Sequence, residues 1–94
     1  MNDKYNGWHN YETWRINLEI FDGYEISNNE FELGSYALKD CLSEYAYEIV
    51  MMNIPEGLCK DYASAFLDAV NWYEIADHLI ENYRIDNNIQ AVIA

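Results

Sequence analysis

Basic residues are scarce in this chain, which has only five Lys and Arg against seventeen Asp and Glu. The resulting net charge of −12 repels both the phosphates of nucleic acids and the anionic surface of a membrane. Direct binding to DNA, RNA or lipid is therefore not expected. The same charge attracts basic surfaces, and in a cell many of the strongest basic surfaces are the grooves of nucleic-acid-binding proteins.

Long apolar runs and an excess of cysteine are also missing. The chain contains no run of about 18 apolar residues and does not open with a charged segment followed by an apolar one. A soluble, cytoplasmic protein is expected. The two cysteines, Cys41 and Cys59, fall on helix faces that are otherwise apolar, which predicts buried, reduced thiols instead of a disulfide.

Motifs for catalysis and metal binding are absent as well. There is no glycine-rich phosphate loop, no Cys-x-x-Cys, no Gly-x-Ser-x-Gly and no calcium loop. Glu74 and His78 lie one helical turn apart, but a metal site needs three or four ligands, and a solvated helix face is the simpler interpretation. With four glycines and one proline, few residues remain for loops that carry active sites. We expect no enzyme, no metal and no cofactor.

The chain has enough apolar residues to fold around a hydrophobic core, since 51% of its residues are hydrophobic and 16% are aromatic. Apolar residues recur with the period of an α-helix, and we predict a single acidic helical domain over residues 1–94. Its fold class is all-α, a small bundle of about four helices at roughly 11–22, 36–52, 56–70 and 72–83. An irregular connector is predicted at 23–34. It contains either a short helical turn capped by Ser27 or Asn28, or a short extended piece.

The first helix is predicted to lie at the centre of the bundle. Asn10 is a suitable N-cap, and the helix that follows has two apolar stripes on nearly opposite sides. One stripe contains Trp14, Leu18 and Phe21, which we predict to be core residues. Trp8, before the helix, and Trp72, at the start of the fourth, are predicted to join the core. Asn71 and Glu74 have the spacing of a capping box at that fourth helix.

Acidic residues are concentrated on the outer faces of the later helices. One acid every four residues is one charge per roughly 6 Å, whereas duplex DNA carries one per about 1.7 Å. The acids would therefore have to converge from several helices to imitate DNA, and the sequence leaves convergence open. Together with tyrosines, which are enriched in binding hot spots, the predicted partner-binding residues are Asp40, Glu44, Tyr47, Glu48, Asp61, Asp68, Tyr73, Glu74, Asp77 and Glu81.

Two segments carry a resemblance to a known family. Residues 7–14, GWHNYETW, resemble the Gly-Trp-x-Asn-x-Glu-Thr-Trp opening of an uncharacterised family of small acidic proteins encoded by phages and plasmids. Residues 70–79, VNWYEIADHL, resemble the later Asn-Trp-x-Glu-Ile-Ala segment of that family. The resemblance implies a bacterial mobile element as the source and transfers no catalytic residue. Small acidic proteins of such elements often block host defence, as anti-restriction and anti-CRISPR proteins do.

These observations favour a non-enzymatic inhibitor that acts in the cytoplasm of the bacterial host. Its expected partner is a nucleic-acid-binding protein or ribonucleoprotein complex with a basic surface, and DNA mimicry is one form that the binding would take. The alternative is a structural or assembly module. Such a module would self-associate as a homodimer through its Trp-rich end or through the apolar segment at 89–93.

Overall fold

The computed structural model describes residues 5–52 and 54–88, and within them the chain is an all-α bundle without a strand. No helix in these two ranges is both long enough and apolar enough to cross a membrane. The helices are α1 (Tyr11–Ile16), which continues into a π-helical turn (Asn17–Phe21), then α2 (Asn28–Met51), α3 (Leu58–Asp68) and α4 (Trp72–Asp86).

The core lies mainly between α2 and α4, which form the most extensive contact in the bundle. The buried residues on these two helices are Leu38, Leu42, Ala46, Ile75, Ala76, Leu79 and Ile80. Each large aliphatic side chain in this set contributes about 1.5–3 kcal/mol through burial. The prediction that the first helix is central is wrong, because α1 has only six residues and packs at one end of α4.

The π-helical turn changes which residues of the first helix face the core. Five residues instead of four separate hydrogen-bonded partners in a π-helix, so the turn aligns Phe21 with Ile16, and both are buried. Leu18 rotates outward and is 45% exposed, which contradicts its predicted core position. Trp14 is only half-buried and packs against Tyr5, with ring centroids 5.0 Å apart, outside the α2–α4 core.

Much of the predicted irregular connector is helical. Ser27 and Glu30 form a capping box that starts α2, as the helical alternative for this segment predicted. Gly34 interrupts the helix with a φ of 82°, a left-handed conformation that glycine adopts without steric cost. The helix predicted from residue 36 therefore exists, but it is the second part of a longer, kinked α2.

Several residues predicted to point inward are exposed. The buried stripe of α2 is narrow, so Cys41 lies outside it, and Cys59 occupies the exposed first turn of α3. The prediction of buried thiols is therefore wrong. Large apolar or aromatic side chains that follow the helical period but are also exposed include Tyr45, Ile49, Met52, Leu58 and Tyr62.

Helix α4 agrees best with its predicted pattern. Trp72 and Tyr83 are half-buried against the core, one on each side of the buried residues of α4 along the chain. The helix ends three residues later than predicted, at Asp86, and Asn88 then adopts a φ of 57°. Asparagine is one of the few residues that adopt this left-handed conformation readily. The apolar segment at 89–93 lies outside the described residues.

Candidate protein-binding groove along helix α4

A buried hydroxyl joins the start of α1 to the start of α4. Thr13 is fully buried, and its Oγ1 donates to Asn10 Oδ1 at 2.6 Å while accepting the backbone N–H of Asn71 at 2.8 Å. Asn10 caps α1 by accepting the Thr13 N–H at 2.9 Å, and its side-chain amide donates to the carbonyl of Ala69 at 2.8 Å. Asn10, Thr13 and Asn71 thus hold the two helix starts together; we call these bonds the α1–α4 network.

The residues just before α1 are fastened to α4 in the same way. Asn71 caps α4 through the Glu74 N–H, as predicted. The carboxylate of Glu74, however, accepts the backbone N–H of His9 at 2.8 Å instead of reaching back to Asn71, so the capping box is incomplete. Trp8 packs edge-on against His78 with ring centroids 5.0 Å apart. These contacts place Trp8 beside the outer face of α4.

Three adjoining cavities follow that face of α4, and we call them together the α4 groove. Their volumes are about 390, 370 and 270 Å³. His78 lines both the first and the second cavity, whereas Asn82 and Asp86 line both the second and the third. The opposite wall consists of Trp8 and the turn at 22–25.

The α4 groove is strongly acidic. Six carboxylates line it, and none of the described residues that line it is Lys or Arg. Only Glu81 has an ion-pair partner among the described residues, Arg84 at 3.5 Å, and that pair is exposed and weak. The six carboxylates are Asp22, Glu25, Glu74, Asp77, Glu81 and Asp86.

Three of the predicted partner-binding residues, Glu74, Asp77 and Glu81, therefore come together. Asp77 also accepts a hydrogen bond from Ser35 Oγ on α2 at 3.0 Å, which fixes its position at the edge of the groove. Asp40, Glu44 and Glu48 do not belong to this surface. They lie on the side of α2 opposite its buried stripe and hence away from α4.

The remaining predicted residues are separate from the groove. Asp61 is exposed near the start of α3, and Tyr73 is 49% exposed at the start of α4. Asp68 accepts a hydrogen bond from the hydroxyl of Tyr47, which joins α3 to α2. Tyr47 also packs near Trp72, with ring centroids 6.5 Å apart. This pair has a structural role between helices.

The Tyr47–Asp68 pair makes stability depend on pH. The hydrogen bond to Asp68, followed by desolvation, raises the pKa of Tyr47 to about 12 from its usual value near 10. The folded state holds this proton more tightly, so the contribution is complete below about pH 10 and is lost as the pH rises toward 12. Because the pair is largely exposed, we expect it to contribute at most about 1 kcal/mol.

Tyr47→Phe is expected to remove this contribution. The free energy of unfolding in urea should fall by at most about 1 kcal/mol at pH 7, and the difference from the parent should vanish toward pH 12. The comparison cancels the ionisation of the other tyrosines, which both proteins share. If the difference in unfolding free energy stayed constant from pH 7 to 12, ionisation of Tyr47 could not be its cause.

Sequence reasoning missed half of the groove. Asp22 and Glu25 flank the turn after the π-helical segment, and only the tertiary structure brings that turn to α4. Asp86 lies outside the predicted helix, although it continues the four-residue spacing of His78 and Asn82. Extending the helix to residue 86 would have placed these three side chains on one face.

The donor set of the groove suits recognition of a cation. Its carboxylates accept hydrogen bonds and carry negative charge, so they complement cationic groups such as those of Lys and Arg. Among the described residues, no group of three or more His, Cys, Asp and Glu is arranged to hold a metal ion. The groove is therefore suited to binding a positively charged partner surface.

The model of a protein family of unknown function (DUF7249) matches residues 1–92. The chain belongs to this family. No curated protein and no solved structure matches the chain. The match includes both segments on which the resemblance to phage and plasmid proteins was based, while that origin itself stays a prediction.

The geometry gives these two segments a shared physical role in this DUF7249 chain. Residues 7–14 and 70–79 contain the α1–α4 network and the packing of Trp8 on His78. The same residues build one end of the α4 groove. The distinctive sequence thus shapes the candidate binding surface as well as the fold.

Proposed function

We propose that this protein is a non-enzymatic inhibitor that inserts a basic, protruding element of a nucleic-acid-binding protein into its α4 groove. The observation that supports this proposal is the convergence of six carboxylates on one concave surface. A concave acidic surface complements a convex basic one in both shape and charge. The bound element would then be unavailable to nucleic acid.

Charge density supports a competitive mode of action. Glu74 and Asp86 are twelve residues apart on α4, a distance of about 18 Å along the helix. Six carboxylates over that length give one charge per about 3 Å, within twofold of the one per about 1.7 Å in duplex DNA. Acids spaced every four residues along a single helix would give only one charge per roughly 6 Å. The turn at 22–25 supplies the carboxylates that α4 lacks.

The biological setting that we propose is host defence. The resemblance of residues 7–14 and 70–79 to proteins of phages and plasmids supports a partner such as a restriction enzyme or a CRISPR effector complex. Such a complex must expose a basic channel to its nucleic acid. We propose that the bacterial cytoplasm is the site of action, since such complexes work there.

The test uses a purified restriction enzyme or CRISPR effector complex loaded with a fluorescent duplex. We expect the protein to displace the duplex, measured by fluorescence anisotropy, and displacement to weaken steeply as salt is raised. The triple variant Glu74→Gln, Asp77→Asn, Glu81→Gln should raise the inhibitory concentration roughly threefold to a hundredfold, because each of the three charges is worth about 0.2–1 kcal/mol.

The matched control is Asp40→Asn, Glu44→Gln, Glu48→Gln, which removes the same charge from the far side of α2. It should change the inhibitory concentration less than threefold, through long-range attraction only. Equal losses in the two triple variants would show that net charge, and not the α4 groove, is responsible.

Self-association is the second candidate, supported by a separate apolar groove between α1, α2 and α3. This groove has a volume of about 400 Å³ and includes Tyr11, Val50, Tyr62 and Phe66. Its occupant in this case is a second copy of the chain. Light scattering on the same samples distinguishes the two: a dimer that does not displace the duplex would favour an assembly module.

A further inference from the structure

A two-residue turn of sequence Asn6-Gly7 precedes α1. Both residues are left-handed, with φ values of 48° and 88°, and Tyr5 and Trp8 on either side of them exchange two backbone hydrogen bonds of 2.7 Å. This is the geometry of a type I′ turn, in which Asn-Gly is a strongly favoured pair. Both turn residues are exposed. The turn therefore places an asparagine and the peptide bond that follows it at the surface.

Asn-Gly is also the pair in which the main chain can most easily attack an asparagine side chain. The backbone nitrogen of Gly7 bonds to Cγ of Asn6, because glycine has no side chain to obstruct the approach. The Cγ–Nδ2 bond breaks, ammonia leaves with the N–H proton, and a five-membered succinimide remains. Water then opens the ring at either carbonyl. One product is aspartate, and the other is isoaspartate, whose main chain is longer by one methylene group.

Asn6 differs in two ways from the other asparagines. It is the only asparagine of the sequence that precedes a glycine. The bridge between Tyr5 and Trp8 is also isolated, and a pairing of two strands alone is only marginally stable in water. The turn can thus open into the backbone conformation that ring closure needs, whereas Asn17 and Asn82 are held in helices.

The position of the turn determines what the reaction changes. Asn6 and Gly7 line the first cavity of the α4 groove, the one of about 390 Å³, together with Glu74, Asp77 and Glu81. Either product places a fourth carboxylate in this cavity. The reaction therefore makes one end of the α4 groove more acidic.

Isoaspartate changes the shape of the cavity as well as its charge. The ring of Trp8 packs edge-on against His78, with centroids 5.0 Å apart, and the main chain of Trp8 is bonded to Tyr5 across the turn. A main chain with one more methylene group cannot keep both backbone hydrogen bonds in a two-residue loop. Trp8 then loses its fixed position beside His78.

We propose that Asn6 is a site of spontaneous deamidation that changes the charge and the shape of the first cavity of the α4 groove. Aspartate and isoaspartate both add charge, whereas only isoaspartate displaces Trp8. The proposal does not depend on the proposed function, because the reaction requires only water and the turn itself.

The experiment incubates the full chain in mildly alkaline buffer at physiological temperature, beside a peptide of residues 5–8 as a reference for the reaction without the fold. Anion-exchange chromatography separates forms that carry one more negative charge. Mass spectrometry of proteolytic fragments then locates the amide that became an acid, and isoaspartate methyltransferase measures the isoaspartate fraction. We expect an acidic form to accumulate, with both products at residue 6 and with Asn6 converted before any other asparagine.

Two variants separate the site from its consequence. Asn6→Gly is the matched control, because Gly-Gly also favours the type I′ turn but has no amide to lose, so the acidic form should not appear. Freshly purified Asn6→Asp protein supplies the aspartate product directly. In NMR spectra, its His78 ring signals should keep the shift caused by Trp8, and the purified isoaspartate form should lose that shift.

Conversion of another asparagine first, or equal accumulation of the acidic form in Asn6→Gly, would overturn the assignment of the site. A protein that stays unchanged while the reference peptide reacts would overturn it too, because the folded turn would then protect Asn6. Unchanged His78 signals in the isoaspartate form would overturn the effect on the shape of the groove.

Discussion

Replacing Thr13 with valine is expected to lower the free energy of unfolding by about 2–4 kcal/mol. Valine has the same shape as threonine, so packing at this fully buried position should change little. The loss comes from the missing hydroxyl, which bonds Asn10 and accepts the backbone N–H of Asn71. The N–H of Asn71 would be left without a partner at a site from which water is largely excluded.

Urea denaturation followed by tryptophan fluorescence and far-UV circular dichroism measures this effect. Thr13→Ser is the matched control, because it keeps the hydroxyl and loses one methyl group, at a cost of about 1 kcal/mol. A Thr13→Val protein as stable as Thr13→Ser would show that the network contributes no more than ordinary packing.

The same variant tests whether the network positions the groove. Thr13 joins the two helix starts, and the residues before α1 contact Glu74 and His78 from there. We expect the ring signals of His78 in NMR spectra of the folded Thr13→Val protein to lose the shift caused by Trp8. Unchanged signals would separate the stability of the fold from the shape of the groove.

Local signals in the sequence were sufficient to predict the helical fold and the starts of α1 and α4. The N-caps Asn10 and Asn71 act within three residues, so the sequence shows them directly, whereas Ser27, the cap of α2, was only one of the alternatives for a segment predicted to be irregular. The residues of α4 that face the core could be predicted because its apolar residues keep one uninterrupted helical period. Such features depend on neighbours along the chain and need no tertiary information.

Features that arise from tertiary packing could not be predicted in this way. A period of 3.6 residues carried through 11–22 places Leu18 beside Phe21, but the π-helical turn separates them. The groove has the same origin, because Glu25 and Asp86 lie 61 residues apart in sequence and line one cavity only in the folded chain. Of the acids predicted to bind a partner, those on α4 lie together because the groove runs along that helix.

Phe21→Ala is expected to destabilise the protein by about 3–5 kcal/mol, the usual cost of truncating a buried phenylalanine. Phe21 is 1% exposed, and its ring packs near Tyr24 and Tyr45, with centroids 5.6 and 6.1 Å away. For a domain whose total stability is of the order of 5–15 kcal/mol, the loss is a large fraction. Urea denaturation of the parent and the variant gives the difference directly.

Leu18→Ala is the control for this prediction, because Leu18 lies in the same π-helical turn but is 45% exposed. Its truncation should cost less than about 1 kcal/mol. A continuous α-helix through residue 22 would instead place both side chains on one apolar face, and the two truncations would then have similar costs. A difference of about 2 kcal/mol or more between the variants thus measures the rotation that the π-helical turn introduces.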